Sequence, residues 1–154
     1  MEQPFRPGDA VAALLVTPDQ RYLLQHRDDI EGIFFPGFIG NFGGAIELGE
    51  APIDALRREI REELAFEIRD CEFFCSMTFD FRFAGIGEIV RHFFVVPIGE
   101  ADVATMRLHE GQGMKMLSGG EILEMAKIVP YDAVAIWQHL MRNSFAGRYV
   151  KTRP

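Results

Sequence analysis

Apolar residues run without interruption from Ala10 to Val16 and return at Tyr22, Leu23 and Leu24 ahead of Gln25 and His26. Runs this short, bounded by turn residues, predict two strands over Ala10–Val16 and Tyr22–His26. Between them Pro18 presets the backbone and Asp19 can bond to it, so the chain is expected to open with a hairpin. The next stretch, DDIEGIFFPGFIGNFGGAIELGE, is rich in glycine and aromatic residues and cannot sustain a helix; it predicts a loop leading into a short strand near Phe38–Ile46. The period then becomes helical: Ile53, Leu56, Ile60 and Leu64 fall on one stripe, with Pro52 in the first turn. From Cys71 to Ile98 it drops to two. Phe79, Phe81 and Phe83 alternate with Asp80 and Arg82, AGIG makes a turn and EIVRHFFVVPI returns, so a long hairpin is expected. A loop and strand in MRLHEGQGMKMLS, a short helix in GGEILEMAKI and a final helix from Pro130 complete the pattern, with Ala133, Ile136, Trp137 and Leu140 of the last helix read as core.

The chain has 154 residues, 48% hydrophobic and 25% charged, which suits one domain with a real core. No apolar run approaches the ~20 residues that span a bilayer, and the start MEQPFRPGDA lacks a signal-peptide layout, so no membrane association and a cytoplasmic location are expected. A formal net charge of -7 argues against a nucleic-acid partner, whose binding rests on dense Lys and Arg contacts. An anionic small molecule would need a cation to bring it in. Whether the chain pairs as a homodimer is left open. Cys71 and Cys75 are read as packing thiols on one strand face, and His26 and His92 lack partners at zinc spacing.

The helix from Pro52 carries the chemistry. On the helical wheel Glu59, Glu62 and Glu63 lie together beside the apolar stripe, with Arg57, Arg58 and Arg61 on the opposite flank. Gathering like charges costs a few tenths of a kcal/mol per pair, so the cluster is either a solvated acidic face or a set of ligands for a hard divalent cation. Mg2+ takes oxygen donors and commonly combines one or two carboxylates with waters and a substrate phosphate. Glu47 and Glu50 add oxygens just before the helix, and Gly43 and Gly44 leave room beside it.

Read as a pattern, Gly44, five residues, Glu50, seven residues and then Arg58-Glu59-Ile60-Arg61-Glu62-Glu63-Leu64-Ala65-Phe66 resembles the Nudix box, G-x5-E-x7-R-E-U-x-E-E-x-G-U with U a bulky aliphatic residue. The match holds at every position except Ala65, where the family has glycine, if Phe66 is accepted at the last U. NFGGAIE also departs from the family's frequent Pro-Gly-Gly. The resemblance implies an α/β/α sandwich around a mixed β-sheet and Mg2+-dependent hydrolysis of a nucleoside diphosphate linked to another group X, with Mn2+ as substitute metal. Nucleotide sugars, ADP-ribose-like compounds and nucleoside triphosphates are all open as substrates. Carried onto this chain, it implies Glu62 and Glu63 as metal ligands, Glu59 as ligand or general base, Arg58 as the partner that holds a glutamate, and a backbone oxygen of Gly43 or Gly44 as a further ligand. Glu110, in a glycine-flanked loop expected to be flexible, is the candidate base outside the box, with Glu88 and Glu121 behind it. Arg27 is a candidate phosphate contact, and Phe35, with Phe34 and Phe38, a candidate stacking or pocket residue. The alternatives are a catalytically silent nucleotide-binding or regulatory domain and, in the same superfamily, prenyl diphosphate isomerisation, for which no cysteine stands near the box.

Overall fold

The computed structural model describes residues 8–149. Six strands form one mixed sheet: β1 (Ala10–Val16), β2 (Arg21–His26), β3 (Ile39–Gly40), β4 (Glu72–Asp80), β5 (Glu88–Pro97) and β6 (Gly113–Ser118). Their order is β3-β2-β1-β5-β4, with β6 on the other edge of β2. The β1–β5 ladder is parallel and the remaining named ladders are antiparallel. Helix α1 (Pro52–Leu64) and the short α2 (Glu100–Thr105) lie on one face, and α3 (Gly119–Glu124) and α4 (Pro130–Tyr149) on the other.

The period-two alternation of β1 distributes the core between these layers. Val11, Ala13 and Leu15 pack with Leu56, Ile60 and Leu64 of α1, while Leu14 and Val16 pack with Ile122 and Ile136 of the opposite helices. The layering is the α/β/α sandwich expected from the sequence. No described helix is long and apolar enough to cross a membrane.

Several expectations are corrected. Trp137 is 45% exposed although Ile136 beside it is sealed, because the apolar stripe of α4 is narrower than its composition suggests. Cys71 precedes β4 and packs in the α1-side core, whereas Cys75 packs with Ala12 and Phe93 on the other side. A register shift between Phe73 and Cys75 breaks the alternation that would have put both thiols on one face. His139 of α4, not singled out in the sequence, is buried and its Nδ1 shares a 2.7 Å hydrogen bond with the Tyr22 hydroxyl.

One irregularity of the sheet positions the site. β1 and β2 pair at Leu15–Leu23 and Val16–Tyr22, then splay. The segment after β2 fills the gap: Ile39 and Gly40 pair with β2, while Phe42 and Ala45 bridge to Ala13 and Ala10 of β1. The strand expected near Phe38–Ile46 is therefore a two-residue strand plus isolated bridges, since Gly43, at φ 140°, turns the chain out of regular pairing.

Candidate functional site

Helix α1 ends at Leu64, one residue past the last of its carboxylates, Glu63. Ala65 takes the left-handed conformation (φ 50°, ψ 34°) and its N–H donates to Arg61 O at 2.9 Å, so alanine performs the exit usually left to glycine. Beyond it the chain from Arg107 to Gln112 is strapped to the helix end: Arg107 N–H donates to Leu64 O at 2.9 Å and His109 N–H to Glu63 O at 2.8 Å. His109 Nδ1 lies 3.1 Å from Glu62 O. On its other side Gln112 N–H donates to His26 O at 2.7 Å, and the buried Gln25 donates through Nε2 to Glu110 O at 3.1 Å. The loop expected to be flexible is held at both ends, because these contacts satisfy carbonyls that a helix terminus leaves open. Glu110 is thereby fixed beside α1.

Glu59, Glu63 and Glu110 line one cavity of about 240 Å3 together with Arg27, Phe34, Gly43 and Gly44. Glu63 is 3% exposed and accepts one hydrogen bond, from Gly43 N–H at 2.9 Å. Burial, reinforced by the Glu110 and Glu59 charges, pushes its carboxyl up to about 8 against the opposing Gly43 hydrogen bond. Glu59 is also held above the ordinary carboxylate range, first by burial and against the pull of Arg58. Both glycines are required here by space. A Cβ on Gly43 would meet Val11 O at 2.2 Å, and one on Gly44 would meet the Glu59 carboxylate at 2.5 Å.

Arg58 does not lie on a separate flank from the acids. Its guanidinium donates to both carboxylate oxygens of Glu50 at 2.9 Å, to Glu59 Oε1 at 2.7 Å and to Ala45 O at 2.9 Å, with Glu62 at 3.4 Å. The wheel failed because Arg58 and Glu62 are i,i+4 neighbours and because Glu50 comes from the preceding loop. Arg58 ties that loop to the helix and orients Glu59. Arg61 pairs instead with Glu67.

The remaining candidates separate cleanly. The Glu62 side chain is 60% exposed, outside the cavity. Glu121 caps its own helix by accepting from Ser118 N–H at 2.7 Å, and Glu88 faces Arg82 across the β4–β5 hairpin, 3.9 Å away. Arg27 donates to Phe34 O at 2.9 Å at the cavity wall. Phe34 lines the cavity, whereas Phe35 packs edge-on against Tyr131, centroids 5.7 Å apart. Gly44 O already accepts from Val11 N–H at 2.9 Å. Sequence reasoning missed Arg91 and Tyr131, which also line the cavity. The available signal was a charge at the inward position between Ile89 and Phe93.

Among the described residues no three His, Cys, Asp or Glu side chains are grouped tightly enough to cage an ion unaided. The donor set still fits a hard divalent cation that keeps waters and shares a substrate phosphate. A buried and a half-buried carboxylate, Glu63 and Glu59, repelled by each other and by Glu110 are the condition a cation would reverse.

A family model for the NUDIX domain matches residues 6–151. The chain belongs to the NUDIX family. Within it, a 50-residue stretch is 52% identical to nucleoside triphosphatase NudI of Escherichia fergusonii, covering 32% of this chain and 35% of that protein. The chain thus spans about a third of the length of the curated relatives it matches. The MutT protein of Methanosarcina mazei Go1 has the same fold, with TM-score 0.74 and 19% identity over 93% of this chain and 98% of that one. So does the NUDIX domain of Shewanella oneidensis NrtR, solved with ADP ribose, with TM-score 0.66 and 21% identity over 93% of each chain.

Proposed function

We propose that this NUDIX chain is a metal-dependent pyrophosphohydrolase that cleaves the diphosphate linkage of a nucleoside diphosphate bearing a further group X. The observation that carries the reading is the convergence of Glu59, Glu63 and Glu110 on one cavity beside Gly43 and Gly44. The nucleoside triphosphatase relatives favour X as phosphate, and the ADP ribose held by the NrtR domain supports a nucleoside diphosphate at the same kind of fold.

Glu59 and Glu63 would hold Mg2+ in the cavity, with Mn2+ as substitute, and Glu62, outside it but sharing Arg58 with Glu59, would add an oxygen from that side. When bound, the ion neutralises phosphate charge and makes water more acidic. The chain's own residues do the rest. Arg58 fixes Glu59 against the Glu50 loop. Arg27 offers a cation to the substrate's phosphates. Glu110 orients the attacking water and takes its proton onto a carboxylate oxygen as the P–O bond of the bridge breaks and the leaving phosphate departs. A positioned base of this kind is worth about 10²–10⁴ in rate.

The test is a panel of nucleoside triphosphates, nucleotide sugars and ADP-ribose compounds incubated with Mg2+. The expected outcome is release of a nucleoside monophosphate, abolished by a chelator while the melting curve persists. Undiminished turnover after exhaustive metal removal would refute the metal role. Binding without turnover of any compound would leave a silent nucleotide-binding domain.

A further inference from the structure

The cavity has a second end that the phosphate chemistry does not use. Arg91 enters it from an inward position of β5, and its guanidinium carbon sits 4.2 Å from the centre of the Tyr131 ring. The ring is itself pinned by aromatic neighbours, with Phe35, Phe79 and Phe81 at centroid distances of 5.7, 5.6 and 6.4 Å. This platform holds the guanidinium plane in one orientation.

Among the described residues, Arg91 has no carboxylate within ion-pairing distance and no hydrogen-bond acceptor, and its Nε is sealed from solvent without a partner. Asp132, the carboxylate that feels the Arg91 charge, is engaged elsewhere, and Glu88 of the same strand faces Arg82. The two Asp132 oxygens accept from Asn41 N–H at 2.9 Å and Asn41 Nδ2 at 3.1 Å. A guanidinium is five donors and no acceptor, and leaving such donors unmet in a confined site is costly. The cavity is therefore bipolar, with carboxylates at the α1 end and unclaimed N–H donors at the Tyr131 end.

We infer that Arg91, stacked on Tyr131, reads the base of the bound nucleotide and selects bases with a carbonyl at purine C6 or pyrimidine C4 (guanine, hypoxanthine, uracil and thymine) over adenine and cytosine, which carry an amino group there. The inference rests on the nucleotide reading above. With the phosphates held at the carboxylate end by the divalent cation that end would carry, the base is the part of the substrate that reaches Arg91. Guanidinium donors lie in one plane at a fixed spacing, which matches the adjacent O6 and N7 acceptors of guanine and the single O4 of uracil. Adenine N6 and cytosine N4 would set a donor against a donor.

The test separates base reading from catalysis by measuring calorimetric binding of GMP, UMP, AMP and CMP in the presence of Mg2+. GMP and UMP are expected to bind about 10- to 100-fold more tightly than AMP and CMP. Arg91→Met keeps an unbranched side chain over Tyr131 and should erase the preference while leaving AMP and CMP binding unchanged. Arg91→Lys, which retains a point charge but not the fork, should keep part of the UMP preference and lose most of that for GMP. Equal affinities in the wild type, no binding by any of the four, or the same loss for all four in Arg91→Met would overturn the inference. The last of these would place Arg91 on a phosphate or the ribose. A lack of triphosphate turnover alongside an intact base preference would reject the hydrolase reading and leave this one standing.

Discussion

Glu63 and Asp132 are both buried carboxylates, 3% and 2% exposed, and their surroundings set them to opposite uses. Asp132 receives two hydrogen bonds from Asn41, which pin the start of α4 to the segment that fills the gap between β1 and β2. Burial raises its pKa, with Arg91 and Asn41 opposing. Glu63 receives a single backbone hydrogen bond, and its other charged neighbours in the cavity include Glu110 and Glu59. One carboxylate is satisfied by the fold; the other is left with acceptor capacity facing a cavity. Burial alone does not mark a functional acid, but burial with unmet capacity and like-charged company does.

The largest expected effect tests that contrast directly. Glu63→Gln keeps the shape and can still accept from Gly43 N–H, but removes the charge a cation needs. Turnover should fall by ~10³-fold or more, at 1.36 kcal/mol per tenfold, while melting without metal at neutral pH stays level or rises, because folding no longer has to protonate a carboxyl that is ionised in the unfolded chain. Near-normal rates, or a clear loss of metal-free stability, would place Glu63 with Asp132 among structural acids. Asp132→Ala should do the reverse. It strands the Asn41 N–H and amide donors and should cost about 1–3 kcal/mol in denaturant unfolding, with a rate loss far smaller than that of Glu63→Gln. Unchanged stability would show that Asn41 finds other partners.

The smallest effect asks whether α1 can be stabilised without touching its acids. Ala65 pays a steric penalty at φ 50°, so Ala65→Gly should stabilise by up to ~1 kcal/mol, read as a rise in melting temperature with kcat unchanged. A fall would mean that the backbone freedom gained by the unfolded chain outweighs the relieved strain.

Local pattern made much of this protein readable in advance. The order of strands and helices, the packing stripe of α1 and the spacing from Gly44 to Phe66 follow from side-chain periods of two and 3.6 and from short fixed gaps, which depend on near neighbours alone. The same is true of the turn at Pro18 and of the long hairpin. Its tip folds as a short 3-10 turn at Arg82–Ala84 where plain alternation was expected to continue through Phe83.

Tertiary structure decided which charged groups meet. Arg58 was set apart from the acids on the wheel because a wheel omits Glu50, which arrives from the preceding loop. The Glu110 loop looked flexible because the carbonyls that strap it, at the end of α1 and at His26, lie far from it along the chain. Arg91 escaped notice among apolar strand residues until Tyr131, 40 positions later in the numbering, gave it a platform. Sequence specified the elements because each is held by periodic local preferences. The cavity is formed where distant elements cross at a splayed sheet, and only the packed fold brings its two oppositely charged ends together.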